Sequence, residues 1–244
     1  MEVHVFSTRK EMGAAAGQAI ESRILQLAKV SQSIRMVFGA APSQDEMLAY
    51  LRESKQIPWD RITAFHMDEY IGLPADAPQA FGRYLRDRLF DHVPLRAVHL
   101  IDGNSNIEEA CKVYTTLFQE APIDIVCLGI GENGHIAFND PPVADFEDKA
   151  VIKPVELDLE CRQQQVNDGC FESLDQVPTH ALTLTVPALC SGRDLFCVVP
   201  GERKHAAVQS TLYDTVSTAC PATILRQHPS CQLFLDVDSY GRTT

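Results

Sequence analysis

"IDIVCLGIGENGHIAFND" occupies residues 123–140. Its first eight residues, "IDIVCLGI", form an almost continuous apolar run. Continuity, rather than strict alternation, is expected of a strand covered on both faces of a parallel sheet. The run then empties into a turn holding Gly129, Gly131 and Gly134 beside Glu132, Asn133, His135 and Asp140. Glycines permit tight turns and close backbone approach to a ligand. A loop needs only one or two polar residues to stay solvated, so this density of polar groups points to a site.

Working outward, the same kind of run recurs as "EVHVF" (2–6), "RMVFGA" (35–40), "ITAFHM" (62–67), "AVHLI" (97–101), "DLFCVVP" (194–200) and "QLFLDV" (232–237). Helical patterns lie between them, over 11–30, 43–54, 79–91, 106–119 and 202–212. Alternating β and α segments predict an α/β domain with a mainly parallel sheet. No interdomain linker interrupts the chain, so 1–244 reads as one domain. The less regular stretch 141–180 reads as a lid or cap segment inserted in it. The closing "SYGRTT" (239–244) reads as loosely docked or disordered.

The composition narrows the function. With 45% apolar and 22% charged residues, the 244-residue chain has the make-up of a soluble globular protein. A formal charge of −12 argues against nucleic acid and anionic membranes as partners. The N-terminus has no signal-peptide pattern, and no run approaches the length of a membrane span. The eight cysteines form no C-x-x-C pair, so they read as reduced thiols in a cytoplasmic protein.

Ligands of parallel α/β sheets sit beyond the carboxyl ends of the strands. Four such ends carry polar groups. In "FGAAPSQDEM" (38–47), Gly39, Ala40 and Ala41 let backbone N–H groups approach an anion, and Ser43 is expected to cap the following helix. In "FHMDEYIGL" (65–73), Asp68 and Glu69 offer a general base and a neighbour that orients it. In the quoted turn, His135 between Asn133 and Asp140 suits an imidazole held by a carboxylate at one nitrogen and free at the other. In "VVPGERKHAAV" (198–208), Lys204 is placed to pair with an anion, about one turn into a helix. Each taken alone is also explained by an ordinary turn, cap or solvated charge. A metal is not expected, since no second His or Cys stands at ligand spacing from His135.

"FHMDEYIGL", "LGIGENGHIAFNDP", "VPTHALTL" and "VVPGERKHAAV" together resemble, in order, the signatures of the glucosamine-6-phosphate deaminase/isomerase family. The resemblance covers roughly residues 2–238. It implies a three-layer, doubly wound, Rossmann-like α/β fold and conversion of glucosamine 6-phosphate to fructose 6-phosphate and ammonia, with no redox cofactor or metal. It implies that Asp68 moves a proton between C2 and C1, that His135 assists ring opening, and that Asp140 orients it, with Asn133 beside them. It further assigns Lys204 and the loop Gly39, Ala40, Ala41 and Ser43 to the phosphate, and Gly129 to the sugar.

Three positions depart from that pattern. The phosphate loop is "GAAPS", without its usual hydroxyls. Gly169 or Cys170 stands where an arginine is expected, leaving Arg162 and Arg226 as candidate substitutes. Asp140 replaces a longer glutamate. The rewritten phosphate end keeps a non-catalytic sugar-phosphate sensor open as an alternative. A 6-phosphogluconolactonase-like hydrolase is a second alternative, opposed by Tyr70 where that group carries arginine. The family includes monomers and larger assemblies, so a homo-oligomer is compatible with the sequence.

Overall fold

The computed structural model describes residues 1–241. In chain order its strands and helices are β1 (Glu2–Phe6), α1 (Arg9–Ala28), β2 (Ile34–Phe38), α2 (Asp45–Glu53), β3 (Ile62–His66), β4 (Asp68–Tyr70), α3 (Phe81–Arg88), β5 (Ala97–His99) and α4 (Ile107–Gln119). There follow β6 (Ile125–Leu128), β7 (Ile152–Glu156), α5 (Leu159–Asn167), β8 (His180–Leu184), α6 (Val186–Cys190), β9 (Asp194–Val199), α7 (His205–Tyr213), β10 (Cys231–Asp236) and α8 (Val237–Tyr240). Short 3₁₀ turns, among them Pro42–Gln44 and Glu202–Lys204, join several of them.

Seven strands form one sheet in the order β1-β10-β9-β6-β2-β3-β5. Every pairing in it is parallel. Period-2 alternation explains why its strands read as unbroken apolar runs. Met36 and Phe38 of β2 point to one face, where they share a core with Met12, Ile20 and Ile24 of α1 and Met47, Leu48 and Leu51 of α2. Val37, between them, points to the other face and joins Tyr114 and Phe118 of α4 and Val208 of α7. Helices on both faces make the fold three-layered and doubly wound, as expected. α1 begins with a capping box: the Thr8 hydroxyl accepts from Glu11 N–H, and the Glu11 carboxylate accepts from Thr8 N–H.

A second sheet was not expected. β4, β8 and β7 form a three-stranded antiparallel sheet in that order. Its signal in the sequence is weak because β4 has only three residues and follows β3 after a single residue, Met67. In β7, Pro154 interrupts the strand-like composition, and Pro is tolerated because β7 lies at the sheet edge. The segment 141–180 therefore contains β7, α5 and the turn Leu174–Gln176. At the C-terminus, Ser239 is fully buried and donates from N–H to Asp236, so α8 is docked rather than loose. Residues 242–244 of the closing stretch lie outside the described residues.

The strand order locates the switch point. From β2 the chain proceeds to β3 on one side, and from β6 it proceeds to β9 on the other. The turns after β2 and β6 therefore diverge, and a crevice opens at their carboxyl ends.

Candidate active site

A cleft at that crevice is lined by 39–44, Met67, Asp68, Phe81, 129–131, His135, Gln164, Gln165, Asp168 and Lys204. Its space, including the open mouth, is about 740 Å³. All four strand ends singled out above meet here. Gly39, Ala40, Ala41, Ser43, Asp68, Gly129, His135 and Lys204 line the wall directly. Asn133 and Asp140 stand behind His135 and reach the cleft through it.

Asp68 is delivered by β4, whose pairing with Thr183 of β8 fixes its backbone. The side chain is 6% exposed, and no donor among the described residues reaches its carboxylate. Burial pushes its pKa well above the usual carboxylate value, and the charges of Glu69 and Asp140 push it further. Such a carboxylate is a stronger base than one in water. Glu69 points away from the cleft and accepts N–H bonds from Tyr70, Phe81 and Gly82 at 2.8–3.0 Å. It thereby ties β4 to the start of α3.

The imidazole of His135 is oriented by two acceptors. Nδ1 lies 2.9 Å from Asp140 Oδ1 and 2.8 Å from Asn133 Oδ1. Asn133 Nδ2 donates to the same Asp140 oxygen at 3.0 Å, so its Oδ1 must face the ring. Two acceptors at Nδ1 mean that Nδ1 carries the proton, which leaves Nε2 as the exchangeable nitrogen. Burial would raise the pKa of Asp140, but bonds from His135, Asn133 and Asp158 N–H outweigh it and hold the group low. The shorter aspartate thus does reach the imidazole.

Gly131 makes room for this ring. A Cβ there would lie 2.1 Å from His135 Cε1, where no real side chain fits. Asn139, fully buried, donates to Ile136 O and Leu184 O, and Thr183 Oγ1 accepts from Phe138 N–H. These bonds pin the turn to β8. Ala137, on the cleft wall, is held at φ 48°, a left-handed conformation uncommon for a residue with a Cβ.

The opposite end of the cleft is less complete. Lys204 is 7% exposed, and its Nζ has no hydrogen-bond partner among the described residues. Burial lowers its pKa, against the opposing pull of Asp168 and Glu132. An unpaired buried ammonium is costly unless a ligand supplies the counter-charge. Lys204 ends the 3₁₀ turn Glu202–Lys204, just before α7 rather than a turn inside it. Ser43 does not cap α2; its hydroxyl accepts from Gln44 Nε2 instead. Arg162 donates to Leu174 O and Val177 O, and Arg226 to Leu212 O and Asp214 O. Both hold carbonyls through their Nη atoms, and neither lines the cleft.

Sequence reading missed Arg9, Gln44, Gln164, Gln165 and Asp168 on the cleft wall. It also missed Cys161, whose Sγ lies with His135 and Asp140 so that one potential metal-ligating atom of each falls within 4.8 Å of the others. Of these, Asp140 already bonds the His135 imidazole, with the Cys161 thiol beside them.

A parallel α/β sheet with a buried carboxylate, an oriented histidine and an unpaired lysine at its switch point carries the groups that an enzyme of acid–base chemistry needs. A profile of the family glucosamine-6-phosphate isomerases/6-phosphogluconolactonase matches residues 7–234. Glucosamine-6-phosphate deaminases of Bacillus thuringiensis (strain Al Hakam) and Bacillus anthracis (strain A0248) are each 31% identical over 240 residues, covering 98% of this chain and 88% of theirs. A monomeric glucosamine-6-phosphate deaminase superposes with a TM-score of 0.88 at 27% identity, covering 98% of both chains. A 6-phosphogluconolactonase from Thermotoga maritima superposes at 0.79 with 22% identity over 96% of this chain and 99% of its own, a likeness of fold. The chain belongs to the glucosamine-6-phosphate isomerase/6-phosphogluconolactonase family.

Proposed function

We propose that the chain isomerises and deaminates an amino-sugar phosphate, taking glucosamine 6-phosphate and water to fructose 6-phosphate and ammonia. One observation carries this reading: a buried, unpartnered carboxylate, Asp68, shares a cleft with an oriented imidazole, His135. Lactone hydrolysis has no use for a carbon base, and a sensor has none for either group.

The steps follow from the residue types. Nε2 of His135 takes the proton of the anomeric hydroxyl and returns one to the ring oxygen, opening the sugar to its C1 aldehyde. The carbonyl acidifies the C2 hydrogen. Asp68 removes that hydrogen as a proton, giving an enolamine, and delivers a proton to C1. The C2 imine so formed adds water and expels ammonia. Asp140 and Asn133 keep Nδ1 protonated throughout. Lys204 and the 39–43 turn hold the phosphate away from the reacting carbons, which contributes orientation rather than chemistry.

The eight free cysteines support a reducing, cytoplasmic setting. Among the described residues no helix is long and apolar enough to cross a membrane. The activity is tested by offering the purified protein glucosamine 6-phosphate, galactosamine 6-phosphate and 6-phosphogluconolactone separately. Ammonia from an amino sugar supports the reading. Turnover of the lactone alone, or sugar-phosphate binding without turnover, would replace it with one of the two alternatives.

A further inference from the structure

We propose that Arg9, at the start of α1, is the second cation of the phosphate end and sets selectivity for the phosphorylated substrate. The inference rests on the phosphosugar reading above and adds a residue from outside its sequence signatures.

The placement follows from helix packing. α1 and α2 meet along a face that carries Gly13 and Gly17, one turn apart. A Cβ at Gly13 would lie 2.3 Å from Glu46 Cβ, and one at Gly17 would lie 2.6 Å from Tyr50 Cδ1. The missing side chains let the two backbones approach closely. Arg9 lies one turn before Gly13, so the close approach brings it to the first turn of α2 and the bend before it.

Its guanidinium is anchored there on one side. Nε donates to Glu46 Oε1 at 2.7 Å, and Nη2 donates to the carbonyl of Pro42. Nη1 has no partner among the described residues. Arg9 lines the cleft on the same wall as the 39–44 turn, its plane fixed by these bonds and Nη1 left unused. Of the residues lining the cleft, only Arg9 and Lys204 are cationic. Lys204 Nζ, buried and unpaired, marks where an anion is needed. One ammonium leaves a phosphate dianion half neutralised, and a guanidinium supplies the planar, two-donor grip that an ammonium lacks. Gly169 or Cys170 stands where the family resemblance implies an arginine, so any second cation comes from another segment.

Glu46 draws off part of the Arg9 charge. At 41% side-chain exposure Arg9 is also more hydrated than Lys204. Its contribution is accordingly smaller than that of Lys204, and it acts on binding rather than on the reacting carbons.

The test measures inorganic phosphate binding by calorimetry, and KM and kcat for glucosamine 6-phosphate, in the wild type, Arg9→Gln, Arg9→Lys and Lys204→Ala. The expected result for Arg9→Gln is phosphate affinity and KM each worsened about tenfold, with kcat within twofold and the melting temperature near wild type. Arg9→Lys should recover part of the affinity, and binding of unphosphorylated glucosamine should be unmoved in all variants. Unchanged phosphate affinity in Arg9→Gln, alongside a clear loss in Lys204→Ala, would reduce Arg9 to a tether between α1 and α2. Absence of phosphate binding in the wild type would also overturn the proposal. Phosphate binding that depends on Arg9, but without ammonia release, would uphold it and overturn the deaminase reading instead.

Discussion

The two ends of the cleft are built on opposite plans. Around His135 the protein supplies the partners itself, although Asp68 beside it stays unpartnered: Asp140 accepts from His135, Asn133 and Asp158, and Asn139 and Thr183 tie the turn to β8. At the anchoring end it does not. Lys204 Nζ and Gln44 Oε1 are buried without partners. A site that orients a proton-transfer group must hold it before the substrate arrives. A site that binds an anion can leave its donors open, because the ligand completes them.

That contrast can be broken by exchange of single groups, beginning with the base. Asp68→Asn should lower ammonia release about 10³-fold, within the range for a lost general base, while inorganic phosphate affinity stays close to wild type. Near-normal turnover would remove Asp68 from the chemistry. Next, Gly131→Ala should cost kcat about 10²-fold by displacing the imidazole, with circular dichroism unchanged. A fully active alanine variant would mean that the ring has room to move. At the other end, Lys204→Ala should raise KM about 10- to 100-fold, the worth of a charge-assisted bond, with little change in kcat. A fall confined to kcat would place Lys204 at the reaction end instead.

The smallest effect expected is a shift in pH dependence. Asp68 must be ionised to act, so kcat/KM should rise with pH through its raised pKa. The acid limb should therefore sit at higher pH than an ordinary carboxylate would give. Burial is the main cause and Glu69 the next. Glu69→Gln should move that limb to lower pH. A limb that stays in place would leave burial as the cause and remove Glu69 from it.

The same contrast explains what was legible in the sequence. His135, Asn133 and Asp140 fall within eight consecutive residues, so their spacing is itself the signal. Asp68 is readable because it follows directly on an apolar strand of the parallel sheet. The anchoring end is gathered from Arg9, the 39–44 turn, α5 and Lys204, segments joined only by tertiary packing. Arg9 lies before the helix read over 11–30, and it reaches the cleft only because Gly13 and Gly17 draw α1 onto α2. Gln164 and Gln165 lie in a helix with no apolar stripe strong enough to announce it. The parallel sheet was legible because burial on both faces writes itself as unbroken apolar runs. The three-stranded sheet was not, because β4 is short and β7 contains a proline.

The central claim is that one carboxylate moves hydrogen between adjacent carbons, and isotope placement tests it most directly. Glucosamine 6-phosphate deuterated at C2 is turned over in deuterated water, so label reaches C1 whether the hydrogen is passed directly or exchanged with solvent. The account predicts fructose 6-phosphate with deuterium at C1 and one ammonia per sugar, both lost in Asp68→Asn. Ammonia released with an unlabelled C1, or labelling that survives the loss of Asp68, would contradict it.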